Sequence, residues 1–79
     1  MANQLKLNRT DQPLLRYRIG QELRAIRKQR GYTQEQLASK MDISRTTISK
    51  IENGEFAMTL DYLQIFTEVL FVKVKLTKL

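Results

Sequence analysis

Residues 33–54 leave the chain little choice of local structure. Thr33 and Ser44 are hydroxyl residues of the kind that caps the start of a helix. Gln36 stands three residues after Thr33, the spacing of a capping box, in which each side chain satisfies the other residue's backbone N–H. Leu37, Ala38 and Met41 then face inward on a helix that ends near Met41. A brief turn, Asp42-Ile43, leads to Ser44 and a second short helix over 45–53, with Ile48 and Ile51 inward. Asn53-Gly54 stops it, because either residue can adopt positive φ.

The flanking segments extend the helical reading. A first helix is expected from Asp11 or Gln12, with Asp11 as cap and Pro13 tolerated in the first turn. Leu15, Ile19, Leu23 and Ile26 form its buried stripe, and Gly31 ends it just after Arg27, Lys28 and Arg30, cations that suit the negative end of a helix dipole. Thr59 caps a further helix, Leu60–Leu70, which carries two apolar stripes: Leu60, Leu63, Phe66 and Leu70, then Tyr62, Ile65 and Val69. A lone surface helix needs one. The second is assigned to an interface with another chain, a wider core face being the alternative. From Phe71 the period changes to two, with Val72, Val74 and Leu76 alternating with Lys73, Lys75 and Thr77, which predicts a strand over 71–78. A single strand cannot satisfy its own backbone, so its partner is the same strand in a second copy or the segment 4–8. There Leu5 and Leu7 alternate with polar residues, a pattern open to a short strand or an unstructured arm. The division is an arm over 1–10, a helical domain over 11–70 and a dimerising strand over 71–79.

Composition narrows what such a domain can do. The 79 residues suffice for one small domain, marginal alone and helped by a partner chain. With neither cysteine nor histidine, the usual zinc sites, Ser-His-Asp triads and disulfides are excluded. The eight carboxylates lack a Gly-rich, pocket-forming background, so no enzyme, metal or cofactor is expected. A formal net charge of +6 favours polyanions. No apolar run approaches the ~20 residues that span a bilayer, and residues 1–8 lack a signal peptide's apolar core, so the expected location is the cytoplasm, at the nucleoid. Exposed aromatics for stacking RNA bases are missing, since Tyr17, Tyr32 and Tyr62 form no platform.

The polar face of the helix over 45–53 gives that charge a use. Thr46, Ser49 and Lys50 lie at i, i+3 and i+4 and share a face, with Arg45 at its N-terminal edge. The DNA major groove admits one helix, braced by a second, and a short turn fixes their angle. Arginine and lysine donate to guanine O6 and N7, and threonine offers a methyl to thymine or a hydroxyl to either edge. A solvated face without a role is the bland alternative, and the complete helix-turn-helix grammar argues against it.

The run Gly31-Tyr32-Thr33-Gln34-Glu35-Gln36-Leu37-Ala38, followed by Ile43-Ser44-Arg45-Thr46-Thr47-Ile48-Ser49-Lys50-Ile51-Glu52-Asn53-Gly54, resembles the lambda-repressor/Cro-like (XRE-type) helix-turn-helix family. The resemblance covers roughly 19–70 and implies a mainly α, four- to five-helix DNA-binding domain. It implies base contacts from Arg45, Thr46, Ser49 and Lys50. Phosphate contacts would come from Gln34 and Asn53, with Thr33 and Thr47 beside them. Arg27 and Glu52 match a buried or half-buried salt bridge of such repressors. The tail departs from the simplest repressor pattern, with a basic alternating strand in place of a fifth helix. In this it is similar to the HipB-type antitoxin branch, whose C-terminal strands pair across a dimer and whose members bind a HipA-type kinase toxin. Tyr62, Ile65, Val69, Val72, Val74 and Leu76 are then the dimerisation residues. The leading reading is a homodimeric repressor of double-stranded DNA with a palindromic operator. An antitoxin with a toxin protein partner is the alternative, and a restriction-modification controller, all-helical, a third. No small-molecule effector is expected, as there is no ligand domain.

Overall fold

Four helices build the fold: α1 (Gln12–Gln29), α2 (Gln34–Met41), α3 (Arg45–Glu52) and α4 (Leu60–Leu70). The structure, a computed structural model, describes residues 12–75. The Asp11 cap, the 4–8 segment and Leu76 therefore lie outside the described residues.

Helix starts follow the capping chemistry. Thr33 Oγ1 accepts from the Gln36 backbone N–H at 3.0 Å while Thr33 N–H donates to Gln36 Oε1 at 2.9 Å, a complete capping box. Ser44 Oγ accepts from Thr47 N–H at 3.1 Å, and Thr59 Oγ1 from Tyr62 N–H at 3.2 Å. All four helices end alike. A left-handed residue follows each, Gly31 (φ 79°), Asp42 (φ 56°), Gly54 (φ 73°) and Phe71 (φ 55°). The next N–H then reaches back five residues, as from Tyr32 to Arg27 O at 3.1 Å and from Ile43 to Ala38 O at 3.0 Å. This pattern caps carbonyls that the helix leaves free. Glycine meets its demand without steric cost and aspartate tolerates it, whereas phenylalanine does not.

The core draws on every helix. Leu23 of α1, Leu37, Ala38 and Met41 of α2, Ile48 and Ile51 of α3, and Phe66 and Leu70 of α4 are all buried. Ile19 and Ile26 pack against them, and Ile43 does so from the α2–α3 turn, closing that corner. α1 approaches α3 closely at Gly20, where a Cβ would overlap the carbonyl oxygens of Ile51 and Glu52.

Three expectations change in detail. Leu60, assigned to the first α4 stripe, is 82% exposed, while Ile65 and Val69 of the second stripe pack against the chain's own core. Tyr62 sets its ring edge-on to Phe56 at 5.6 Å. Second, no strand occurs among the described residues: Phe71 is left-handed and 72–75 run without a ladder. A strand exists only with a partner to take its N–H and C=O groups, and none lies beside this segment among the described residues. Third, the cations at the end of α1 serve other elements. Arg27 turns inward to Glu52, and Arg30 donates from Nε to Leu70 O at 2.9 Å and from Nη2 to Phe71 O at 3.4 Å. Arg30 thus caps the carbonyl end of α4. No helix among the described residues is long and apolar enough to cross a membrane.

Candidate nucleic-acid interface

A single buried carboxylate organises the site. Glu52, 1% exposed at the end of α3, accepts from Arg27 Nε at 2.6 Å and from Arg27 Nη2 at 3.1 Å. Two parallel N–H donors on one carboxylate fix angle as well as distance. Arg27 Nη1 also donates to Tyr32 O at 2.7 Å, tying the bridge to the loop before α2. Gln34 Nε2 donates to Glu52 Oε1 at 3.0 Å, and Gln21 Nε2 to the Glu52 backbone carbonyl at 3.0 Å. Glu52 therefore joins α1, α2 and α3, and among the described residues no buried side-chain polar atom lacks a partner. The pairing expected for Arg27 and Glu52 is present, and buried.

α3 is held by its inner face and free on its outer one. Ile48, Ile51 and Glu52 are at most 2% exposed, whereas Arg45, Thr46 and Lys50 are exposed and Ser49 is half-buried. Arg27–Glu52 is the only salt bridge among the described residues, so Arg45 and Lys50 keep their charges uncompensated there. The hydroxyl of Thr47 lies 2.8 Å from that of Ser44, which turns Thr47 toward the helix cap. Asn53 is exposed at the far end of α3, beyond the helix proper.

The starts of α2 and α3 face a common cleft lined by Arg27, Thr33, Gln34, Glu35 and Arg45. The N–H groups of Gln34 and Glu35 occupy the first turn of α2, where no intrahelical acceptor exists, and point out of the helix start. Such N–H groups, with the dipole behind them, favour an anion. The side chain of Gln34, expected at phosphate, is bonded inward to Glu52, which leaves its amide oxygen and second N–H for other partners.

Sequence reasoning passed over Gln21 and Gly20, and placed Asp42 in the turn without its left-handed conformation. Nothing in the sequence marks Gln21 as a donor to the end of α3, or Gly20 as the point of closest approach. The left-handed turn residue had a signal, because a short polar residue directly after the last inward position of α2 suits that conformation.

A helix pair locked at a fixed angle, presenting an unpaired basic and hydroxyl face beside an anion-favouring helix start, is the build of a DNA-binding domain. A helix-turn-helix family model matches residues 23–76. The chain is also 38% identical over 56 residues to the "Immunity repressor protein" of Bacillus phage phi105, an alignment covering 71% of this chain and 39% of that protein. The chain therefore spans about two fifths of the length of this relative. It belongs to the helix-turn-helix family, in its lambda-repressor/Cro-like form, a family of DNA-binding transcription regulators.

Proposed function

We propose that the chain is a sequence-specific repressor that binds a palindromic operator as a homodimer. Each copy lays α3 in a major groove. Arg45, Thr46, Ser49 and Lys50 meet base edges, and Gln34, Thr33, Thr47 and Asn53 position the domain on phosphates. The observation that carries this reading is the two-sidedness of α3: one face fully buried against α1 and α2, the other offering Arg45, Thr46 and Lys50 to solvent. The phage relative, named for repression, supports the direction of control. Segment 71–79 supplies the contact between copies, with Val72, Val74 and Leu76 paired across the two-fold and, beside it, the parts of Tyr62, Ile65 and Val69 that the chain's own core leaves uncovered. Repression follows from occupying the DNA, without catalysis, in the cytoplasm.

Fluorescence anisotropy with DNA from upstream of the chain's own gene, against scrambled DNA in a salt series, tests it. The expected result is tight, salt-dependent binding with a preference of ~10³ or more for the upstream duplex. Equal, weak binding to both would remove autoregulation from the reading. In the same assay Lys50→Ala should cost about 1–3 kcal/mol of discrimination if Lys50 reads a base. If it meets phosphate, both duplexes should weaken alike and the salt slope should fall by about one. Unchanged affinity for both would place Lys50 outside the interface.

A further inference from the structure

Phe71 is the one bulky residue among the described residues that is both left-handed and exposed. Of the four left-handed helix ends, two are glycine and one is aspartate. Phe71 alone puts a bulky side chain at φ 55°, a conformation that L side chains avoid. Its ring gains little from its own chain, being 82% exposed. A glycine or asparagine would end α4 as well.

The strain is nevertheless held in place. Phe71 N–H bonds to Thr67 O, Val72 N–H bonds to the same carbonyl at 3.1 Å, and Arg30 clamps the Leu70 and Phe71 carbonyls. The ring is thereby fixed outward, and the chain is sent back along α4. Val72 reaches the core, and a groove opens between this returning segment and α4, with Leu60, Leu63, Val72 and Val74 as its apolar wall and Gln64, Thr67 and Lys73 as its polar one. Leu60 is 82% exposed and Val74 46%. An apolar knob and a groove with an apolar wall thus adjoin on one chain.

Charge selects the occupant. In a chain of net charge +6, α4 carries Asp61 and Glu68 and no basic residue. Gln64 Nε2 on the groove wall donates to Glu68 Oε1 at 3.3 Å, which sets that carboxylate beside the groove. Lys73 and Lys75 are exposed on the returning segment. An acidic helix disfavours DNA, while a two-fold brings each acidic helix toward the other copy's lysines. A knob and groove on one surface patch are the requirement for a closed two-fold contact, in which each copy gives and receives the same residue.

We propose that Phe71 is the anchor of the contact between two copies of this chain, seated in the groove between α4 and segment 72–74 of the second copy. The proposal rests on the homodimer reading and specifies its contact. Strain at a fixed, exposed residue is then repaid in the dimer, as at other functional sites.

Analytical ultracentrifugation, with and without a DNA duplex, tests it on the wild type, Phe71→Gly and Leu60→Gln. Both substituted residues are exposed, so neither variant removes core. The wild type should be dimeric at tens of micromolar. Phe71→Gly should weaken the dimer by about 30-fold or more, as for loss of a central aromatic anchor. Its far-UV circular dichroism should be kept, and its unfolding midpoint should lose its dependence on concentration. Leu60→Gln should weaken the dimer in the same direction. A wild-type dimer that Phe71→Gly leaves unchanged overturns the Phe71 contact and spares the homodimer. A wild type that is monomeric both free and on DNA overturns both. Loss of fold in Phe71→Gly shows that the ring serves its own chain and also overturns the proposal.

Discussion

Arg27→Ala should destabilise the domain by about 3–5 kcal/mol, the cost of stranding one partner of a buried ion pair. Glu52 is 1% exposed and would keep a single side-chain donor to its carboxylate, Gln34 Nε2 at 3.0 Å. A 79-residue domain has on the order of 4–12 kcal/mol of total stability. The change therefore removes a large part of it and lowers the melting midpoint by on the order of 20 °C. The opposite deletion, Glu52→Ala, should cost less, because Arg27 Nη1 retains Tyr32 O at 2.7 Å. Replacing both partners, Arg27→Met with Glu52→Leu, should recover most of the loss, since an apolar pair of similar volume needs no compensating charge. Thermal denaturation followed by circular dichroism reads all four proteins. A loss below about 1 kcal/mol for Arg27→Ala would mean that the pair behaves as a surface bridge.

Gly20→Ala makes a second large prediction, with a sign opposite to helix propensity. In an ordinary helix interior, alanine gains about 1 kcal/mol over glycine. At Gly20 a Cβ would meet the carbonyl oxygens of Ile51 and Glu52, backbone atoms that cannot swing aside like the end of a long side chain. α1 would have to leave α3, stretching the Gln21 bond to Glu52 O and the Arg27 bridge. Overpacking costs about 1–3 kcal/mol and more where backbone must move, so the net expectation is a loss of about 2 kcal/mol or more. Urea denaturation should show a lower midpoint. A midpoint at or above the wild-type value would mean that the two helices are not held at this approach.

The helices and the exposed polar face of α3 were legible because local chemistry decides them. Thr33, Ser44 and Thr59 start helices through contacts three residues long, and inward positions such as Leu37, Met41, Ile48 and Ile51 follow from period alone. What stayed hidden depends on partners far apart in the chain. Arg30 reads as a cation for its own helix, yet its acceptors lie 40 and 41 residues away, on the last residue of α4 and on the residue that follows it. Gln34 reads as a phosphate donor, and sequence has no means of showing that Glu52 also claims it. Leu60 fits a helical stripe, but the stripe drifts round the helix and its first member faces solvent. Alternation over 71–78 describes what a strand would need, not whether a second strand is there to meet it.

The arrangement also gives the Arg27–Glu52 bridge a functional meaning. It lies under α3 and reaches Gln34 at the start of α2, so in the proposed function the helix that would read DNA and the helix that would brace it share one hub. Displacing α3 by an ångström would misplace every proposed base contact at once, which is why a binding site of this kind needs rigid support beneath it.

The central claim, that α3 reads DNA sequence as one half of a two-fold pair, is tested most directly by selecting bound duplexes from a random-sequence pool and sequencing them. The account predicts enrichment of an inverted repeat, with half-sites spaced by about 10 base pairs or a multiple. It also predicts a changed base preference within each half-site for an Arg45→Ala, Lys50→Ala double variant. A pool that shows no enriched sequence, or the same sequence enriched by the wild type and the double variant, would contradict it.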